Sequence, residues 1–155
     1  MAGKQIMEEN ILNSIVRSTV DAMPMLQKKL LGVTQIVREQ QMPYSHIQIL
    51  VMLKRCPLSI GDLSKKLGIA KPNITPLVDE LCADGYTERV RDAEDRRVVK
   101  VRLLDAGYQK IESIAKSEEK RIQAWSEFIS RSEARELNRS LQSLLRIVEL
   151  LPDEA

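Results

Sequence analysis

Apolar side chains recur three or four positions apart through the first forty residues, which is the spacing of one helix face. Ile11, Ile15 and Val20 belong to this pattern, and it continues as far as Val37. Pro24 lies within it, and a proline removes a backbone donor from a helix interior. The pattern therefore predicts an N-terminal helical segment that is broken or kinked at Pro24.

Met42 and Pro43 end this first segment, and a short helix is predicted to follow. Ser45 is its candidate N-cap, because a serine oxygen at a helix start accepts from an amide that has no intrahelical partner. Pro57 marks the position near which the short helix is expected to stop.

Two more short helices are predicted around a glycine turn. Ser59 and Asp62 have the spacing of a capping box, in which each side chain accepts from the backbone amide of the other residue. Gly68 supplies the turn, and residues 71–84 form the second helix, which stops at Gly85. Such a pair of helices is typical of a helix-turn-helix.

The pattern changes from helical to alternating after these two helices. Residues 87–91 and 99–103 are the predicted strands of a two-stranded hairpin, connected through an acidic turn at residues 92–95. A helix-turn-helix followed directly by a hairpin is the winged-helix arrangement. In that arrangement one helix enters the major groove of DNA, and the hairpin, or wing, reaches the backbone or the minor groove.

The C-terminal third returns to helical spacing. A long helix is predicted from Asp105 through Trp125 and Ile129, and a last helix follows with Ser130 or Ser132 as its cap. The predicted fold class is mostly α with a small β-hairpin wing. It is a winged helix-turn-helix with long N- and C-terminal dimerisation helices.

Composition sets the expected domain count. With 155 residues, 43% of them hydrophobic, the chain is long enough for one compact domain with a core, and we expect a single domain over residues 1–155. Within it, residues 45–104 would form the winged helix-turn-helix lobe, and residues 1–42 and 105–155 the dimerisation helices. Lys plus Arg number 24 against 22 for Asp plus Glu, so the net charge of +2 means that any basic site is local.

Composition also argues against several classes of function. The chain has one histidine, no Gly-rich phosphate loop and no nucleophile motif, so we expect no catalysis, no metal and no cofactor. No stretch reaches the roughly 18 apolar residues of a membrane span, which favours a cytoplasmic protein with no membrane partner. Cys56 and Cys82 are expected to stay reduced and to pack as small apolar side chains, with a redox-sensing thiol as the alternative.

The predicted wing concentrates positive charge. Guanidinium groups suit phosphates and the narrow minor groove of A/T-rich DNA, where the potential is most negative. The alternative is a solvated charged hairpin, since nearby acids dilute the basic face without cancelling it. The basic residues are Arg89, Arg91, Arg96, Arg97, Lys100 and Arg102.

The central segment resembles the MarR (multiple-antibiotic-resistance-regulator) family of bacterial transcription factors. The resemblance is carried by the helix-turn-helix sequence IGDLSKKLGIAKPNIT at residues 60–75, by Leu81 and Gly85, and by the wing sequence DRRVVKVRL at residues 95–103, which leads to Gly107. With long helices at both ends, it extends over nearly the whole chain.

The resemblance implies that Arg97 probes the minor groove and that Asp95 orients the wing. Pro76 stands where many members have arginine, and no arginine lies on the helix face opposite the core. Arginine to guanine is the commonest strong base contact, so we expect readout to shift toward thymine contacts from Thr75 and the prolines and toward shape sensing. The candidate DNA-binding residues are Lys71, Pro72, Asn73, Thr75, Pro76, Arg91, Asp95, Arg96 and Arg97.

Three positions depart from the family pattern in ways that affect the helices. Ala70 stands where serine is common before the recognition helix, and Leu104 stands where threonine caps the next helix. Asp105 could supply that cap one residue later. Pro76 either shapes the DNA-facing surface or is only a helix irregularity.

The terminal helices carry more apolar surface than a DNA-binding lobe needs. The resemblance implies a homodimer in which the first and last helices interdigitate, and a core formed within one chain is the alternative. The candidate dimerisation residues are Ile11, Ile15, Leu141, Leu144, Leu145, Val148 and Leu151.

The resemblance further implies a cleft in which a small-molecule effector shifts the spacing of the two recognition helices. Met42, Tyr44, His46 and Trp125 are candidate lining residues. The alternatives are that the methionine and the tryptophan belong to the core, and that the histidine is a surface or capping residue.

We therefore expect a homodimeric, sequence-specific regulator of transcription that binds a duplex, pseudo-palindromic operator. It would act as a repressor and be released from DNA by a small-molecule effector. The alternative is a winged-helix module that senses a ligand or binds a protein without specific DNA binding.

Overall fold

The computed structural model of the protein describes residues 2–92 and 95–151, with side chains from residue 10 onward. The chain divides after Gln41 into two compact units. The first unit contains helices α1 (Ala2–Met25) and α2 (Val33–Gln40), with a π-helical turn at Leu26–Leu30 between them.

The N-terminal segment is interrupted just after Pro24, not at it, by a change of helix type. The helix continues through Pro24 to Met25. The amide of Leu31 then donates to the carbonyl of Leu26 at 2.8 Å, which is the wider spacing of a π-turn. Gly32 follows with φ of 57°, in the left-handed region that glycine adopts without strain.

The second unit, from Met42 onward, contains five helices and three strands among its described residues. The helices are α3 (Tyr44–Leu53), α4 (Ile60–Leu67), α5 (Lys71–Ala83), α6 (Asp105–Gln123) and α7 (Arg131–Val148). The strands are β1 (Leu58–Ser59), β2 (Thr87–Arg91) and β3 (Val99–Leu103).

The sheet has one strand more than the predicted hairpin. β3 pairs antiparallel with β2, and its other edge pairs with β1 through Leu58 opposite Val101 and Ser59 opposite Lys100. β1 has only two residues, which are too few to show the apolar–polar alternation of a strand in the sequence. It is recognisable as a strand only through its pairing with β3. Its effect is to attach the segment before α4 directly to the wing.

Two predicted helix caps are wrong. Pro43 is the N-cap residue of α3 and Ser45 lies inside the helix, which ends at Leu53, before Pro57. Asp105 is the first residue of α6, and Leu104 precedes it without a side-chain cap.

The first of the two C-terminal helices begins at Asp105 as predicted, but it ends earlier than predicted. α6 ends at Gln123, and a 3-10 turn at Ala124–Glu127 follows, so Trp125 and Ile129 lie outside it. Ser130, not Ser132, caps α7, because its oxygen accepts from the amide of Glu133 at 3.3 Å.

The core of the second unit lies where the three short helices meet the sheet. Thr87 at the start of β2 is also buried there, and its hydroxyl lies 3.3 Å from the Sγ of Cys82. Among the described residues, no helix is both long and apolar enough to cross a bilayer. The most deeply buried apolar residues are Ile49, Leu50, Leu53, Leu63, Ile74, Val78, Leu81 and Val101.

The two cysteines have different environments. Cys82 is half-buried, whereas Cys56 is exposed between α3 and β1. The predicted packing role is therefore wrong for Cys56.

Candidate nucleic-acid interface

The capping box predicted at the start of the helix-turn-helix is confirmed. The Ser59 oxygen accepts from the amide of Asp62 at 3.1 Å, and the Asp62 carboxylate accepts from the Ser59 amide at 3.1 Å and from its hydroxyl at 2.7 Å. The Ser59 side-chain bond, followed by the backbone bond, lowers the pKa of Asp62. Gly68 ends α4 with φ of 63°, and this left-handed residue turns the chain toward α5.

Helix α5 is the recognition helix of the predicted helix-turn-helix. Its buried face carries Ile74, Val78 and Leu81. At about 100° per residue, the opposite face carries a stripe at positions 72, 75, 76 and 79. We call this stripe the central ridge, and it consists of Pro72, Thr75, Pro76 and Asp79, of which only Thr75 is half-buried and the other three are exposed.

Pro76 does not break the recognition helix. α5 runs from Lys71 to Ala83 through it, although Pro76 has no amide to donate to the carbonyl of Pro72. The hydroxyl of Thr75 donates to the carbonyl of Lys71 at 3.1 Å, so this side chain is tied to its own helix. Ala70 precedes α5 without a side-chain cap, as its sequence predicts.

The tip of the wing is held by Asp95. Its carboxylate accepts from the backbone amide of Arg97 at 3.0 Å and from the guanidinium Nε at 3.2 Å, while the side chain of Arg97 is 93% exposed. The Asp95 carbonyl also accepts from the amide of Val98 at 2.9 Å. The arrangement thus presents Arg97 to solvent from an anchored loop. Of the predicted acidic turn, Ala93 and Glu94 lie outside the described residues.

Several acids of the lobe are bound to bases within it. Arg89 of β2 donates to Asp79 of α5 at 2.8 Å, which connects the recognition helix to the wing. Arg102 similarly pairs with Glu88 at 2.6 Å, and Lys100 pairs with Asp92. These pairs neutralise acids that would otherwise repel phosphate, so the net positive charge remains at the wing tip and at the start of α5.

The remaining predicted DNA-binding side chains are accessible. Lys71, Asn73, Arg91 and Arg96 are all exposed. Arg91 and Arg96 make no ion pair with any residue that the structure describes, whereas Arg89, Lys100 and Arg102 are paired. The sequence pattern shows the number of basic residues in the wing, but not which of them are already partnered.

His46 was expected at the surface or in a helix cap, and this expectation is wrong. Its side chain is 7% exposed, and Nε2 lies 3.1 Å from a carboxylate oxygen of Glu80 on α5. The two groups are close enough for an ion pair, but their geometry is not that of a hydrogen bond. The contact joins α3 to the exposed side of the recognition helix.

The other candidate ligand residues are buried or half-buried. Met42 is buried, and Tyr44 and Trp125 are half-buried. The guanidinium of Arg121 stacks over the Trp125 ring, 5.4 Å from its centre, and also pairs with Glu118. Such a cation over an aromatic face is a stabilising contact that already occupies the ring. A ligand role for these residues stays a prediction.

The candidate dimerisation residues leave apolar surface uncovered in the single chain. Leu141 is half-buried, and the other six are exposed, with Leu145 at 63% and Ile15 at 55%. The exposed side chains are therefore not covered by the unit to which each belongs. The exposed six are Ile11, Ile15, Leu144, Leu145, Val148 and Leu151.

Comparison with known proteins supports the winged-helix assignment. Residues 40–98 match the model of the MarR family. The uncharacterised HTH-type transcriptional regulator YsmB of Bacillus subtilis is 31% identical over 87 residues, which is 56% of this chain. The chain spans 60% of the length of YsmB.

Solved structures extend the likeness to the terminal helices. RV1404 from Mycobacterium tuberculosis aligns with a TM-score of 0.76 over 93% of this chain and 97% of its own, at 18% identity, which shows a shared fold. A MarR family protein from Bacillus stearothermophilus aligns with a TM-score of 0.68 over 86% of this chain and 96% of its own, at 26% identity. The helix-turn-helix and wing segment therefore matches the MarR family, and the chain shares its fold with a solved member of that family.

Proposed function

We propose that this chain is a homodimeric transcriptional repressor that binds a pseudo-palindromic duplex operator. The distribution of charge in the lobe carries the proposal. Arg91 and Arg96 are exposed and unpaired among the described residues, and Arg97 is 93% exposed although Asp95 holds its guanidinium, while Asp79, placed on the ridge that would face DNA, is neutralised by Arg89. This arrangement suits a wing on the backbone or minor groove and a helix in the major groove.

The uncovered apolar faces of α1 and α7 support the dimer. Large apolar side chains on a wide arc of α7 need cover, and a second copy of the same chain supplies a complementary face. Twofold symmetry would then place two recognition helices on half-sites whose centres lie about 10 base pairs apart.

Release by a small-molecule effector and location in the cytoplasm belong to the same proposal. YsmB is named a transcriptional regulator, which supports a regulatory role for this chain. Repression follows if the operator overlaps a promoter, because a bound dimer then excludes the polymerase.

The direct test is a binding titration on labelled duplexes from the DNA next to the chain's own gene, followed by selection from a random duplex library. We expect an A/T-biased, twofold-symmetric sequence. Contacts with about six or more phosphates would lower the affinity by about a thousandfold between 50 and 200 mM salt. Binding that is weak, asymmetric and nearly independent of salt would instead favour a ligand-sensing or protein-binding module.

A further inference from the structure

The central ridge of the recognition helix has two polar side chains, and both are already occupied. The Thr75 hydroxyl donates to the Lys71 carbonyl at 3.1 Å, and the Asp79 carboxylate accepts from Arg89 at 2.8 Å. Pro72 and Pro76, the other two members, have no side-chain donor or acceptor. At Pro72, Thr75 and Pro76 the ridge therefore presents ring methylenes and one methyl group, while the Asp79 carboxylate is 59% exposed and paired with Arg89.

The orientation of Thr75 follows from its hydrogen bond. A threonine carries a hydroxyl and a methyl on the same carbon, so fixing the hydroxyl toward the Lys71 carbonyl also fixes the position of the methyl. With its hydroxyl hydrogen donated to the backbone, this side chain has no donor left to offer, and its methyl is its apolar contribution to the ridge. The adjacent ring of Pro76 is exposed and extends the apolar surface.

In the major groove, the C5-methyl of thymine is the apolar group on a base edge. The other groups on the base edges there are hydrogen-bond donors and acceptors, and the ridge has no free donor for the acceptors among them, because its one donor, the Thr75 hydroxyl, is already bonded to the Lys71 carbonyl. We propose that the central ridge reads C5-methyl groups themselves, with Thr75 as the specificity-determining residue. This inference rests on the proposed function, because it requires α5 to lie in the major groove.

The proposal has a consequence for modified DNA. 5-Methylcytosine carries the same C5-methyl as thymine but a different hydrogen-bonding edge. A site read through its methyl group would accept 5-methylcytosine in place of thymine better than it accepts cytosine. Methylation of cytosine at a ridge-facing position would then raise affinity.

The experiment uses the duplex enriched from the random library and leaves the protein unchanged. At each half-site thymine, 2′-deoxyuridine replaces thymidine, which removes one methyl and leaves the base pair intact. We expect about a fourfold loss of affinity per ridge-facing methyl, the effect of removing one buried methyl-sized group. Cytosine at the same position should bind more weakly than 5-methylcytosine.

Two threonine variants separate the methyl from the hydroxyl. Thr75→Val keeps the methyl and should stay within about twofold of the wild type, with uracil sensitivity retained. Thr75→Ser keeps the hydroxyl and should lose about fourfold in affinity and the uracil sensitivity at its own base. Equal unfolding midpoints for the two variants control for a general loss of stability.

The outcomes distinguish this proposal from the function on which it rests. Specific binding that is equally tight on thymine and uracil duplexes overturns methyl reading and leaves the operator function intact. A loss in Thr75→Val as large as that in Thr75→Ser also overturns it, because the hydroxyl would then be the recognised group. If no duplex is bound better than random DNA, the operator function fails, and methyl reading fails with it.

Discussion

Gly107 lies directly against the backbone carbonyl of Tyr86. A Cβ at Gly107 would be 2.4 Å from that oxygen and 2.8 Å from Cδ2 of Leu103, both far inside contact distance. The same carbonyl accepts from the amide of Leu104 at 3.0 Å, so it cannot shift without breaking that bond. This close approach fixes the position of the first turn of α6 against the segment that leads into β2.

Gly107→Ala is therefore expected to destabilise the protein by about 1–3 kcal/mol, the usual cost of overpacking. Alanine would otherwise favour a helix over glycine by about 1 kcal/mol. Gly61→Ala is the matched control, because Gly61 also lies in the first turn of a helix and a Cβ there meets its nearest atom at 3.4 Å. Urea unfolding at one fixed protein concentration should show a lower free energy of unfolding for Gly107→Ala and no loss for Gly61→Ala.

Ser59→Ala removes the capping serine of α4 and is expected to cost about 1 kcal/mol at pH 7. The folded-state pKa of Asp62 is lowered, so its ionised form contributes stability above the ordinary carboxyl pKa of about 4, and this contribution disappears as the pH falls through the lower folded value. The stability difference between wild type and variant should shrink below pH 4. Ser64→Ala, within the same helix, serves as the control, and an equal deficit at pH 7 and pH 2.5 would contradict the coupling to Asp62.

Arg97→Ala should weaken operator binding by about 1–3 kcal/mol, because a guanidinium inserted in the minor groove is lost. Arg102→Ala is the control from the same hairpin, because Arg102 lies on β3 away from the wing tip and its side chain is 55% exposed against 93% for Arg97, so it should matter less. Fluorescence anisotropy near physiological salt measures both. Equal losses of affinity for Arg97→Ala and Arg102→Ala would mean that the wing contributes to DNA binding only through its total charge.

Leu145→Glu should convert the dimer to monomer at tens of micromolar protein, because a carboxylate would be buried in the apolar contact. Ser143→Glu adds the same charge to α7, away from the stripe formed by Leu141, Leu145 and Val148, and should leave the dimer intact. Sedimentation velocity distinguishes the two states. A wild-type protein that sediments as the 17.7 kDa monomer under these conditions would refute the dimer itself.

The sequence predicted the parts of the fold that are encoded locally. The capping box at Ser59, a serine cap at the start of α7 and the glycine turn at Gly68 involve residues within a few positions of each other, and all three are present, with Ser130 as the serine of α7. Ser45 is a residue type that often caps helices, but it does not cap α3. It is the second residue of that helix, which begins directly after Pro43.

The parts that were missed depend on distant partners. β1 exists only because Leu58 and Ser59 meet β3 some forty residues later. The burial of His46 depends on the packing of α3, and its contact with Glu80 joins two helices. Likewise, helical spacing places the acid Asp79 on the face of α5 opposite the core, but only the fold reveals that Arg89 neutralises it.

Ser59 belongs to two elements at once, since it pairs with Lys100 in the sheet and caps α4. Because Ser59 connects β3 to α4, we expect the wing strand and this first helix of the helix-turn-helix to move as one rigid body. The wing would then not move independently of the helices. In the proposed dimer, control of DNA binding would then require movement of whole lobes. Two stiff lobes would fix the distance between the half-sites that they can bind together, so inserting about five base pairs, half a helical turn, between half-sites is expected to put the second lobe on the wrong side of the DNA.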